Sequence, residues 1–247
     1  MLPNKLLGQN FLRCGWVIDT MLKMADLSMS DTVLEVGPGT GTLTLGLLKK
    51  AGRIIAVEKD KSLIENLQKM AIQHPNLEII QGDILKILSE LSITYNLPPT
   101  TYKLISNIPY YLTSRLLRLL LEGGPRPETV VVTIQKEVAI RICAKPPKMS
   151  LLSLSIQVFG RPEIIKEVPP ECFWPKPKVT SAILRITDIS DNFFRKNDLS
   201  PDTFFQIVKM GFSQKRKFLL NNLAGGLGDK TTAKNVLDKA GLDLKVR

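Results

Sequence analysis

Thr32-Val33-Leu34-Glu35-Val36-Gly37-Pro38-Gly39-Thr40-Gly41 is a short β-rich run that passes into a loop with glycine at every second position. Aliphatic and β-branched residues over five positions favour an extended strand, and the glycine ends it. Glycine lets backbone come close to a ligand, so such a loop after a first strand suits a nucleotide or nucleoside. Two common versions are excluded. The dinucleotide fingerprint G-x-G-x-x-G fails because Thr42 follows Gly41, and no Gly-Lys-Ser/Thr marks a P-loop. The ligand need not carry a phosphate.

Working outward, Leu43, Leu47 and Leu48 recur at helical spacing. Arg53 to Val57 predicts a second strand ending at Glu58, and Leu63, Ile64 and Leu67 a second helix. Leu77 to Ile80 predicts a third strand ending near Asp83, Tyr102 to Ser106 a fourth, and Thr129 to Ile134 a fifth. Leucines 112, 116, 117, 119, 120 and 121 predict a strong helix between the last two. Alternating strands and helices imply an α/β fold, a Rossmann-like doubly wound sheet with parallel strands. Leu151 to Phe159 and Val179 to Ile186 read as two further strands without a crossover helix, hence an antiparallel hairpin at the sheet edge. Between them lie Pro169, Pro170, Pro175 and Pro177. Asp188 to Leu199 is polar and reads as a linker. Ser200 as N-cap, Pro201, and Phe204, Val208 and Phe212 at i, i+4, i+8 then open a small all-helical region. Lys215 to Leu223 is a second helix there, broken by Gly225, Gly226 and Gly228, and Thr231 to Ala240 a third, stopped by Gly241. The expected division is 1–187 for the ligand-binding sheet domain and 188–247 for the helical one.

The 247 residues carry 34 Lys and Arg against 23 Asp and Glu, a formal net charge of +11. That excess points to a polyanionic partner, nucleic acid before membrane. No apolar run approaches the length of a membrane span, and Gly8-Gln9-Asn10 interrupts any signal-peptide pattern. Cys14, Cys143 and Cys172 form no C-x-x-C and read as three separate thiols in a reducing cytosol. His74 is the single histidine and sits at a helix end, so neither a metal site nor a Ser-His-Asp triad is expected.

A glycine loop (Gly37, Gly39, Gly41), an acid ending the second strand (Glu58) and another ending the third (Asp83) converge on one crevice at the sheet's carboxyl edge. Glu58 can take both ribose hydroxyls there. Just past the fourth strand stands Asn107-Ile108-Pro109-Tyr110. An amide oxygen and a carbonyl beside proline can accept hydrogen bonds from an exocyclic amine, and Tyr110 offers a face for a flipped base.

These residues carry a resemblance. Glu35 to Gly41, Glu58 and Gly82-Asp83 resemble the S-adenosylmethionine site of class I methyltransferases. Asn107 to Tyr110 resembles the N/D-x-P-Y/F tetrapeptide of amino-methyltransferases acting on adenine or cytosine. Over nearly the whole chain the sequence resembles the ribosomal RNA adenine dimethyltransferases, the KsgA family, through Gly8-Gln9-Asn10-Phe11-Leu12, Gln135-Lys136-Glu137-Val138-Ala139, Phe173 to Ala182, and Lys215-Arg216-Lys217 with Asn221-Asn222-Leu223. The family's Lys-x-Tyr-Gly-x-Leu-Ser stretch is here Lys148-Met149-Ser150-Leu151-Leu152-Ser153, one residue shorter and lacking Tyr-Gly.

The resemblance implies that Asn10 and Leu12 close over S-adenosylmethionine and that Gly37, Gly39, Gly41, Glu58, Asp83 and Asn107 bind it. It implies that Asn107 and the Pro109 carbonyl hold the target amine while Tyr110 and Phe173 sandwich the adenine. Lys176, Lys178, Lys215, Arg216 and Lys217 are the expected RNA contacts. The implied reaction is repeated methylation of two adjacent adenines near the 3′ end of small-subunit ribosomal RNA, by a cytoplasmic monomer whose partner is the small ribosomal subunit. Two alternatives are an erythromycin-resistance methyltransferase of the large subunit and an assembly factor that acts by binding.

Overall fold

A computed structural model describes Pro3 and residues 7–97, 101–123 and 125–246. In chain order the elements are β1 (Phe11–Leu12), α1 (Gly15–Ala25), β2 (Thr32–Val36), α2 (Thr42–Leu47), β3 (Arg53–Glu58), α3 (Lys61–Gln73), β4 (Leu77–Gln81), α4 (Ile84–Thr94), β5 (Tyr102–Asn107), α5 (Thr113–Glu122), β6 (Thr129–Gln135), α6 (Lys136–Ile142), α7 (Leu151–Gln157), β7 (Arg161–Val168), β8 (Phe173–Trp174), β9 (Ser181–Thr187), α8 (Asn192–Lys196), α9 (Pro201–Gly211), α10 (Leu219–Leu227) and α11 (Lys230–Lys239). The main sheet has seven strands in the order β4-β3-β2-β5-β6-β9-β7. The five on the β4 side run parallel, and β9 pairs antiparallel with both β6 and β7.

β2 is the first strand of the parallel series and sits in its middle, with β3 on one flank and β5 on the other. The chain therefore leaves β2 in one direction and later returns on the other side, opening a crevice at the carboxyl ends of β2 and β5. Gly37 follows one and Asn107 ends the other, so the topology alone brings glycine loop and tetrapeptide together. The inner parallel strands β2, β3, β5 and β6 are buried along most of their length on both faces, hence their largely apolar sequences. In α5, Leu116, Leu117, Leu120 and Leu121 are fully buried. Each contributes about 1.5–3 kcal/mol of burial energy before its entropy cost.

The edge hairpin exists, but with a different first strand. Leu151 to Phe159, expected as a strand, is helix α7. Ser150 caps it, and the Ser150 and Ser153 side chains each serve the other residue's backbone N–H. That capping box, with Leu152 and Ile156 buried one turn apart, overrides the strand reading. The strand that pairs with β9 is β7, whose polar edge sequence conceals it: Arg161, Glu163, Lys166 and Glu167 face solvent. The polar stretch expected as a linker contains α8, whose Phe194 packs in the main core beside Phe159 and Phe205. Leu223, Ala233 and Leu237 form a separate small cluster between α10 and α11. Gly225 and Gly226 do not break α10, which starts four residues later than expected and ends at Gly228 in the left-handed conformation.

The cysteine reading is also corrected. Cys14 and Cys172 are joined by a disulfide across 158 residues, and only Cys143 is free among the described residues. The bond lies beside a two-stranded ribbon in which Phe11 pairs with Trp174 and Leu12 with Phe173. The Arg13 N–H donates to the Cys172 carbonyl at 2.8 Å. Spacing could not show this, because the pairing depends on β1 and β8 meeting. Among the described residues no helix is long and apolar enough to cross a membrane, and no group of His, Cys, Asp and Glu could hold a metal ion.

Candidate active site

One cleft opens at the carboxyl ends of β2, β3, β4 and β5. Gly37 and Gly39 line it, as do Glu58, Asp83, Asn10, Leu12 and the stretch Asn107 to Leu112. Gly37 and Gly39 both adopt positive φ, +70° and +61°, where a side chain is strained. A Cβ on Gly39 would also sit 2.9 Å from the Phe11 ring. Gly41 has φ +80° but does not line the cleft. It precedes α2, and a Cβ there would meet Met70 at 2.6 Å, so it is glycine for packing.

Glu58 ends β3 nearly buried. One carboxylate oxygen accepts the Gly39 N–H at 3.1 Å and the other the Asp60 N–H at 2.8 Å. Burial raises its pKa, with those backbone donors opposing. Asp83 caps α4 through the Leu85 N–H at 3.1 Å and pairs with Lys59 at 2.9 Å. The Lys59 hydrogen bond is foremost in holding its pKa below the usual carboxylate value. Asp83 is thus a helix cap that also faces the cleft.

Asn107 is tied at both ends of its amide. Its Nδ2 donates to the Asn10 carbonyl at 2.9 Å, and its Oδ1 accepts the Thr133 hydroxyl at 2.5 Å. Thr133 is its register partner on β6. The bond to Asn10 holds the N-terminal segment over the cleft, and Gln9 adds a second tie to Asp60 at 2.7 Å. The Pro109 carbonyl accepts the Leu112 N–H at 2.9 Å, and its second lone pair can still accept from an amine. The Tyr110 hydroxyl is within 2.7 Å of the Ser181 hydroxyl at the start of β9, which anchors the tip of its ring.

A family model described as ribosomal RNA adenine dimethylase matches residues 2–246. The chain belongs to that family. It is a methyltransferase. Among curated relatives, "Ribosomal RNA small subunit methyltransferase A" of Dehalococcoides mccartyi is 45% identical over 97% of this chain and 81% of its own length. The protein of the same name from Clostridium botulinum is 37% identical over 99% of this chain and 88% of its own. Among solved structures, a dimethyladenosine transferase from Plasmodium falciparum superposes with TM-score 0.77 at 26% identity, covering 96% of this chain and 91% of that one. The 23S rRNA methyltransferase ErmE does so with TM-score 0.72 at 27% identity, covering 96% and 93%.

Within this dimethylase fold some expected residues stand elsewhere. Phe173 does not line the cleft. It is 3% exposed and packs in the core with Leu12 and Cys172, while its neighbour Trp174 is the exposed ring. Lys176 is paired with Glu171 at 2.5 Å, and Lys178 is exposed. Lys215, Arg216 and Lys217 are exposed in the turn between α9 and α10, not on a helix. A turn lets adjacent cations point the same way, which one helix face cannot.

Three residues in or behind the cleft have no individual role in the sequence reading. Thr133 locks Asn107, as above. Tyr111, 56% exposed, lines the cleft mouth, and its ring lies under Gly8. The doubled tyrosine was the only signal. Glu35 is buried at the cleft floor and accepts the Thr44 hydroxyl at 2.7 Å. Burial, partly opposed by that bond, pushes its pKa from 4.5 to about 8. The folded protein thus holds this proton more tightly than the unfolded chain. The resulting stability is complete below pH 4.5 and is lost as pH rises to about 8. The expected slope is up to about 1.4 kcal/mol per pH unit. Urea melts across that window should show the decline in the parent protein and a flatter profile in Glu35→Gln, whose amide needs no proton. Equal slopes would mean that Glu35 is ionised in the fold.

Proposed function

We propose that this enzyme transfers methyl groups from S-adenosylmethionine to N6 of two adjacent adenines near the 3′ end of 16S ribosomal RNA in the small subunit. The dimethyladenosines would be made during small-subunit biogenesis. The observation that carries the proposal is the joint one: relatives at 45% and 37% identity bear the small-subunit name, and the cleft joins a nucleoside-type acid pair to Asn107.

The residues suit the cofactor. Glu58 is a desolvated carboxylate with two backbone donors already in place, and a ribose diol would supply the remaining ones. Asp83 can take an adenine amine beside Lys59. Gly37 and Gly39 keep the loop backbone bare where the methionine part would pass. When bound, S-adenosylmethionine supplies an electrophilic methyl on sulfur.

The protein's own task is alignment. Thr133 and the Asn10 carbonyl fix the Asn107 amide in one orientation, so that its oxygen keeps a lone pair for one N–H of the target amine. Held in that way, the amine nitrogen points its lone pair along the line of transfer. Tyr110, its hydroxyl anchored by Ser181, presents a ring for the flipped base. No strong base is needed before transfer, because the nitrogen gains positive charge only as the new bond forms and can lose its proton to water afterwards.

Incubation with labelled S-adenosylmethionine and ribosomal subunits lacking the modification should place label on adjacent adenines of 16S RNA. Label in 23S RNA instead would favour the resistance-type reading that the ErmE likeness raises. Subunit binding without any label would favour an assembly factor.

A further inference from the structure

The ribbon formed by β1 and β8 lies beside the cleft, and its Trp174 is 37% exposed whereas Phe173 next to it is buried. The Trp174 ring runs nearly parallel to Phe11, with centroids 6.2 Å apart and 26° between planes. The Arg13 guanidinium lies 5.2 Å from the indole centroid. Arg53, Arg118 and Arg195 are each paired with a carboxylate. Arg13, among the described residues, has neither an ion-pair partner nor an acceptor for its side-chain donors. A concavity beneath this pair is lined by Phe11, Leu12, Arg13, Thr40, Thr42 and Trp174. The Thr40 and Thr42 hydroxyls are 3.0 Å apart. Four of these residues also line the cleft, so the two spaces adjoin. The disulfide and the Arg13–Cys172 hydrogen bond hold the ribbon in place from its end.

A partly exposed indole, a guanidinium over it with no carboxylate partner and two hydroxyls, next to a site for a flipped base, match one ligand chemistry. We propose that Arg13, Trp174, Thr40 and Thr42 form a second nucleotide subsite, which holds the unpaired RNA residue adjoining the target adenine. The base stacks against the Trp174–Arg13 pair, which accepts any base because every base has a π-face. Arg13 takes a phosphate, and the hydroxyls face the sugar. The platform is pre-organised, so little ordering is lost on binding. This assignment rests on the RNA reading above.

Two measurements test it. In Trp16→Phe protein, where Trp174 is the sole tryptophan, a single-stranded adenine hexanucleotide should quench the emission. No quenching overturns the subsite. In methylation of small subunits lacking the modification, Trp174→Leu should raise KM for subunits about tenfold while kcat and cofactor affinity stay level. Trp174→Phe should recover most of the loss. Arg13→Ala should raise KM and shallow the salt dependence by about one phosphate contact. An unchanged KM in Trp174→Leu overturns the proposal. So does a Trp174→Phe variant as impaired as Trp174→Leu, since a stacking role survives that change and an indole-specific packing role does not. Parent protein that labels no small-subunit RNA overturns the functional reading instead, and the fluorescence titration then decides the subsite alone.

Discussion

Asn107→Ala is expected to lower methyl transfer by about two to three orders of magnitude, the usual cost of removing one pre-oriented hydrogen-bonding group from a reacting centre. Cofactor affinity should change far less, because the acids proposed to hold the nucleoside, Glu58 and Asp83, stand at the ends of other strands. The tie to Asn10 is lost with the side chain, so the N-terminal segment loosens and a small rise in cofactor Kd accompanies the rate loss. Asn107→Asp separates the two duties. It keeps an acceptor for the amine but turns a carboxylate oxygen toward the Asn10 carbonyl, and should recover part of the rate while binding cofactor more weakly than the alanine variant. Single-turnover rates and calorimetric titration distinguish these outcomes. An Asn107→Ala enzyme with parental kcat would remove Asn107 from the chemistry.

Glu58→Ala should have the opposite signature. Its carboxylate holds the Gly39 and Asp60 N–H groups and would hold a ribose diol, so removal costs the ligand its charge-assisted hydrogen bonds and frees the glycine loop. Cofactor Kd should rise by about one to two orders of magnitude. At saturating cofactor, kcat should return close to the parental value, since Glu58 touches nothing near the acceptor. Failure of kcat to recover would show that the loop itself positions the reacting methyl. Thermal melts with and without cofactor give a second readout, because the ligand-induced rise in Tm should shrink with affinity.

The parts of the site legible in sequence are those fixed by strand ends. Glu58, Asp83 and Asn107 each stand where an apolar run stops, and a parallel sheet brings successive strand ends to one edge. What sequence concealed depends on pairings between distant segments. Nothing local to Phe11 or Phe173 reveals that they share a ribbon, so Phe173 was placed on the adenine while the structure buries it and exposes Trp174. Thr133 acquires its role only from the register of β6 on β5. The short apolar run from Leu151 fits strand and helix equally, and only the Ser150–Ser153 pair at its start decides for the helix. β7 was missed because an edge strand keeps its charges.

The Cys14–Cys172 bond turns residues 14–172 into a covalent ring, with everything after it as a tail. The two are not separate in the sheet, for β9 comes from the tail and is zipped between β6 and β7 of the ring. A protease cut at the exposed Lys148 therefore opens the ring without releasing either piece, and the two fragments part on a gel only after reduction. A cut after Lys178 severs the tail outright, leaving it held only by non-covalent contacts, the ladders of β9 and the packing of Phe194 and Phe205 on Phe159. Peptide maps with and without reductant would thus read the ring's closure directly from which cuts stay silent.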